Sequence, residues 1–237
     1  MHWSETATWL RTSPLLGITL TLVAYGLGRW LHRRTGSNLA QPVLVAIVLI
    51  VLTLWMSGLD YSAYLHGGRY IGFWLGPATV ALAIPLHREW EHVKRHAVPV
   101  LAGVVVGAIV SVVSVVLLAQ WLGASELIQR SLAPKAATTP VSIALAETLH
   151  AQPSLTAVVT VIAGITGAVL APAVLSLARV RGEIARGLAI GAASHGLGTA
   201  RALQESSREG AFAALSMGLS ALATSLLVPL LVPLLLR

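Results

Sequence analysis

The chain has no cysteine among its 237 residues. That excludes a disulfide framework and any thiolate-held metal site. Charge is scarce: Asp, Glu, Lys and Arg make up 11% of the residues, against about 25% in soluble domains. Aromatics are few and unevenly spread, with no Tyr after Tyr70 and no Trp after Trp121. Catalytic signatures are missing too. There is no HExxH, no GxSxG, no P-loop and no pair of membrane aspartates, so nothing points to an enzyme or to a bound cofactor. The GxGT inside "SHGLGT" follows no strand-like run and does not read as a phosphate loop.

What remains is apolar. Hydrophobic residues make up 56% of the chain, and the mean hydropathy is +0.79. Residues 35–59, 97–125 and 211–236 carry no Asp, Glu, Lys or Arg, and 148–178 adds only His150 to an uncharged run. A spanning helix needs about 20 such residues. The expectation is an all-α, polytopic membrane protein, a single domain over 1–237. Eight apolar segments can be marked: 13–31, 39–58, 69–86, 97–122, 131–150, 154–178, 184–203 and 210–236. The first reads as a spanning helix and not as a cleaved signal, because no small-residue cleavage site follows it. The net charge of +7 sits in short loops, as topology requires, so nucleic acid is not the expected partner.

Segments three, five and seven are short and interrupted by Gly or Pro: "FWLGPATVALAIPL", "LAPKAATTPVSIAL" and "AIGAASHGLGTARAL". Segments three and seven each precede a long apolar run. This pattern predicts broken or re-entrant helices and an inverted repeat that pairs segments three and four with seven and eight. The basic loops 32–38 and 87–96 are expected to be cytoplasmic. If segment five re-enters, the loop 179–186 joins them on that side. The aromatic-rich first half is expected to anchor in lipid and contribute to a homo-oligomer. The Gly/Ala/Ser/Thr-rich second half is expected to form most of the cavity.

Two stretches carry candidate chemistry. In "APKAATTP", Pro140 suits the first turn of a half-helix capped by Thr139, with Thr138 and Lys135 just ahead. A half-helix N-terminus offers free N–H groups and a positive dipole end, and Lys135 adds a full charge: the parts of an anion site. The competing reading has Lys135 reaching to an interface and the threonines serving only local backbone. In "ASHGLGTAR", His195 is an ionisable group in an apolar segment, a functional candidate able to carry a proton. Ser194 precedes it, and Thr199 can cap a helix starting at Ala200. A neutral His195 bound to a carbonyl is the plainer alternative. Arg201 can meet a carboxylate, Glu147, or Glu205 four residues on.

These stretches, with "LGPATVALAIPL" and "EGAFAALSMGL", resemble the LrgB/CidB family over nearly the whole chain. The order PK-x-x-TTP then ASH-x-x-GTAR carries the likeness. The resemblance implies a multi-spanning protein working beside a smaller LrgA/CidA-like membrane partner. It implies either transport of small monocarboxylates such as pyruvate, glycolate or glycerate, or an antiholin-like role in murein hydrolase export and lysis. The expected substrate-binding residues are Lys135, Thr138, Thr139, Ser194, His195, Thr199 and Arg201. Ala136 and Ala192 depart from the family pattern, which commonly has Ser and Thr there.

Overall fold

A computed structural model describes residues 13–36, 40–74, 77, 80–81 and 83–236. Among these there are helices and turns but no strands. Four helices are long and apolar enough to cross a membrane: Pro14–Thr35, Ala97–Trp121, Pro153–Leu177 and Ser207–Leu235. The chain divides into two compact units, residues 1–81 and 82–237.

The first unit holds α1 (Pro14–Thr35), α2 (Pro42–Ser57) and α3 (Tyr61–Phe73). Its first helix is set by local chemistry. The Ser13 hydroxyl accepts from the Leu15 N–H, Pro14 opens the first turn, and Gly36 closes the helix in the left-handed region. Gly17 and Gly67 let α1 and α3 approach backbone to backbone; a Cβ on Gly67 would strike the Pro14 carbonyl. Segment three (69–86) lies partly outside the described residues.

The second unit opens with short α4 (Ala83–Arg88) and α5 (Trp90–Arg95). Then come α6 (Ala97–Trp121), α7 (Glu126–Leu132), a 3₁₀ turn (Ala133–Ala136) and α8 (Thr139–Thr148). It ends with α9 (Pro153–Leu177), α10 (Glu183–Glu205) and α11 (Ser207–Leu235). Large apolar side chains such as Trp121 and Leu177 lie on its outer surface, 82% and 86% exposed, as lipid-facing positions do.

Contacts fix the direction of each helix. Val100 clusters with Phe212, Val112 and Val116 with Val228 and Val232, and Gln120 Nε2 donates to the Leu235 carbonyl at 2.7 Å. So α6 and α11 run parallel. α9 runs against them: Thr156 near its start meets Ser131, while Ser176 near its end meets Arg186, which pairs with Glu209 at the start of α11.

The two broken segments do not cross. Arg130 Nη1 donates to the Leu149 carbonyl at 3.3 Å, and the Gln152 N–H donates to Ser131 Oγ at 3.0 Å. The chain from α7 to α8 therefore returns to the end from which it entered. α10 does the same from the other end. His195 has φ 50° and ψ −138°, which reverses the helix. Ile190 of the first arm then lies against Gly198 of the second, and Leu203 against Gly210 of α11. Segment five re-enters, as one of the two sequence readings had it, and segment seven is a second re-entrant hairpin.

An inverted repeat is present, but its partners differ from the sequence expectation. The helices expected to be related by inversion, α6 and α11, are parallel. The antiparallel pair is hairpin α7–α8 with α9 against hairpin α10 with α11. In this register Lys135 and His195, Thr139 and Thr199, Thr156 and Ser216, and Thr160 and Ser220 each stand sixty residues apart. Thr156 Oγ1 donates to the Ser131 carbonyl at 2.9 Å and Ser216 Oγ to the Leu188 carbonyl at 2.7 Å. Each ties the first arm of a hairpin to the helix that follows it. The sequence pairing failed because small apolar residues align at many offsets.

Candidate functional site

The tips of the two hairpins meet in the middle of the second unit. His195 Nε2 lies 2.9 Å from the Lys135 carbonyl. A carbonyl can only accept, so Nε2 carries the proton in this contact. The ring's other face fits against α9, where a Cβ on Gly164 would sit 3.2 Å from Nδ1. A side chain at φ 50° and ψ −138° is strained, since that region belongs almost entirely to glycine. The bond to Lys135 and the wall at Gly164 hold His195 there.

The first tip is built by Pro134 and Pro140. The 3₁₀ turn ends at Ala136, Ala137 is extended, and α8 starts at Thr139. Ser142 Oγ faces the Pro134 and Ala137 carbonyls at 2.8 and 3.1 Å and braces the turn. Two expected caps are corrected here. The N-cap of α8 is Thr138, not Thr139, and no side chain caps it. Thr199 caps no helix at Ala200, because the second arm of α10 is already helical; its Oγ1 donates to the His195 carbonyl at 2.8 Å.

Lys135 Nζ reaches across to Ser111 Oγ of α6 at 3.0 Å. No carboxylate pairs with it among the described residues. It stands at the floor of a cavity of about 480 Å³ between α6 and the first arm of α10. Gly103, Gly107, Ala189 and Ala192 form much of the walls, and Ala136 lies beside Lys135. The Ser216 hydroxyl is also in the lining but is spent on the Leu188 carbonyl. The cavity runs from Ala185, toward the end where α6 and α11 begin, inward to Lys135. Toward the other end, Val112, Val116, Leu145, Leu149, Val228 and Val232 form a closed apolar cluster.

The remaining expected residues fall at different distances from this floor. Ser194 is fully buried and its hydroxyl has no partner; it faces α9 at Gly167, where a Cβ would strike it. Thr138 and Thr139 sit at the first tip, partly buried. Arg201 lies up the second arm, away from the tip, and pairs with Glu205 at 2.5 Å. Glu147 is exposed on α8. Sequence reasoning missed Ser111. It is an ordinary serine in a valine-rich helix, and only the hairpin fold shows that Lys135 can reach it.

A model of the LrgB-like family matches residues 21–234. The chain is 39% identical over 213 residues to "Uncharacterized protein YxaC" of Bacillus subtilis (strain 168), covering 90% of this chain and 93% of that protein. It is 33% identical over 219 residues to "Antiholin-like protein LrgB" of Bacillus mycoides (strain KBAB4), covering 92% and 95%. The protein of the same name in Bacillus cereus (strain B4264) is 32% identical over the same length and shares. No solved structure matches.

Proposed function

Because the chain belongs to the LrgB-like family of membrane proteins, we propose that its hairpin core binds and transports small monocarboxylates of the pyruvate, glycolate or glycerate type. One observation carries this reading. Lys135 places an ammonium at the floor of a cavity deep in the helical unit with a hydroxyl and, among the described residues, no carboxylate as its partner. A cationic side chain at membrane depth is costly unless something neutralises it. A small carboxylate supplies the charge, and Ser111 adds a donor.

The cavity opens toward the end that carries Arg88, Lys94, Arg95, Arg179, Arg181, Arg186 and Arg208; among the described residues of this unit, Arg130 is the Lys or Arg at the other end. The basic end is the cytoplasmic one by the positive-inside rule, so the substrate enters Lys135's cavity from the cytoplasm in this conformation. Ser194, Thr199 and His195 shape the tip opposite Lys135, and Arg201 acts structurally through Glu205. An LrgA-type partner, a homo-oligomer and an inner-membrane location all fit the family likeness.

A second reading is favoured by the names of the relatives: an antiholin-like membrane regulator. A regulator needs helix surfaces and no anion cavity. Purified protein in liposomes, given labelled pyruvate, glycolate or glycerate with an imposed pH gradient, separates the two. Transport predicts uptake in the wild type and its loss in Lys135→Ala at unchanged folded yield. A Lys135→Ala protein that takes up substrate at the wild-type rate, or a wild type that takes up none, leaves the regulator reading in its place.

A further inference from the structure

Hydroxyls on membrane helices ordinarily bond the carbonyl one turn back. Thr21, Thr53, Ser176 and Ser225 all do so, at 2.7–2.8 Å. Ser111 does not. Its Oγ takes an N–H from Lys135 Nζ at 3.0 Å, and among the described residues its own proton meets no acceptor. The nearby Ser114 hydroxyl bonds the Ser111 carbonyl, not its side chain, at 3.3 Å.

Counting protons gives this contact a direction. An ammonium has three N–H donors and no lone pair, so Ser111 Oγ is the acceptor. A hydroxyl has one proton, and that of Ser111 is left to donate. Lys135 keeps two N–H groups beyond the one on Ser111. Both residues line the cavity, and the walls beside them are Gly103, Gly107, Ala136, Ala189 and Ala192, which bring no polar side-chain atom. The Ser216 hydroxyl is fully buried and its proton is placed on the Leu188 carbonyl. The cavity floor thus offers one charged and one neutral donor side by side.

A small acid meets both donors only if an acceptor stands next to its carboxylate. A 2-oxo oxygen is such an acceptor and brings no proton of its own. A 2-hydroxyl forms one O–H···O bond with Ser111, which places one of the two protons and leaves the other. Turned back on its own carboxylate, that proton competes with Lys135. A plain alkanoate leaves the Ser111 proton without a partner. We propose that Ser111 is the specificity-determining residue of this site: it donates to the oxygen beside the carboxylate that Lys135 holds, and so selects 2-oxo monocarboxylates over 2-hydroxy and unsubstituted acids of the same length. This rests on the carboxylate reading of Lys135 given above. A site that hydrogen-bonds its substrate rejects the analogue that leaves it unpaired. Water in so large a cavity takes up part of that loss, so the discrimination is about three- to tenfold.

Pyruvate, lactate and propionate share chain length and charge and differ at the carbon in question. Each is titrated against labelled pyruvate bound to purified full-length protein in detergent. In the wild type, pyruvate is expected to displace the label at about three- to tenfold lower concentration than lactate or propionate. Ser111→Ala removes the donor and should bring the three within about twofold of one another. Ser111→Thr keeps the hydroxyl and should keep the wild-type order. A purely structural role for Ser111 would weaken all three in step and leave their order intact. Should Ser111→Ala not fold, the wild-type order decides. Equal displacement by the three acids in the wild type, or an order that survives in Ser111→Ala, overturns the role of Ser111 and leaves the carboxylate reading standing on Lys135. A wild type that binds none of them overturns both.

Discussion

Replacing His195 tests the hairpin tip in a way that reverses the usual order of residue preference. At φ 50° and ψ −138°, a side chain costs about 1–3 kcal/mol that glycine does not pay. The bond from Nε2 to the Lys135 carbonyl at 2.9 Å returns about 0.5–1.5 kcal/mol, and losing it leaves a buried carbonyl short by about 1–3 kcal/mol. His195→Ala loses the bond and keeps the strain. His195→Gly loses the bond but relieves the strain, at about 0.5–1 kcal/mol of extra chain entropy. Glycine should therefore be the more stable variant by about 1 kcal/mol, whereas elsewhere in a helix alanine wins by a similar amount. In a unit of this size the difference is about 2–4 °C in unfolding midpoint, readable by thermal unfolding in detergent. If the alanine variant melts at or above the glycine variant, His195 is not a strained turn residue and the hairpin reading of α10 is wrong.

Three further outcomes follow from the same geometry. Gly191→Val would drive a side chain into the Ala213 backbone of α11 and should destabilise the protein by roughly 3 kcal/mol, seen as loss of folded yield. Ala136→Ser with Ala192→Thr adds two hydroxyls to the cavity lining and should shift relative uptake several-fold toward glycolate and glycerate over pyruvate, one hydrogen bond being worth about 1 kcal/mol; an unchanged ratio means the substrate does not touch these walls. Single cysteines at Ser125 and Gln152, in a chain that has none of its own, should react with an impermeant thiol reagent from the same side, and one at Gly182 from the other. Labelling of 125 and 152 from opposite sides would mean that the intervening segment crosses.

The long helices were legible because a run of 20 or more uncharged residues has one stable solution in lipid. The places where chemistry collects were legible as well. Proline at 134 and 140 interrupts any helix drawn through the first stretch and glycine at 191, 196 and 198 marks the second, and Lys135 and His195 stand in those stretches. What could not be read was the sense of each break. A chain that crosses and a chain that turns back differ at this tip by the conformation of one residue, His195, and nothing in its neighbours demands φ 50° there. His150 and Arg179 also have positive φ, of 51° and 58°. Both follow helix ends, where the N–H groups of Ala151 and Val180 reach back to Ala146 and Leu175 and close ordinary C-terminal turns. The cap assignments at Thr139 and Thr199 failed for a related reason: a hydroxyl near a helix start caps it only if the chain arrives extended.

The small residues of the cavity wall have a consequence for how the unit can change shape. α6 presents Gly103 and Gly107 to the cavity, and the first arm of α10 presents Ala185, Ala189 and Ala192. No atom lies within 4 Å of where a Cβ on Gly103 or Gly107 would stand, so these faces are apart. Glycine and alanine faces in membranes pack to backbone contact when they meet. Opposite them, the first arm already lies on α11 in that way, with Gly187 against the Glu209 carbonyl and Gly191 against Ala213. The arm thus has one small-residue face in use and another unoccupied. On the transport reading, closing the cytoplasmic path requires only that the arm approach α6, exchanging one glycine-lined contact for another. The ion pairs at its base resist this unequally. Arg208 to Glu183 at 3.4 Å is half-exposed, and a pair of that kind is worth about 0–1 kcal/mol. Arg186 to Glu209 at 3.3 Å is the buried one, with Glu209 5% exposed, and breaking it would strand a charge. That pair therefore anchors the base of the first arm to α11.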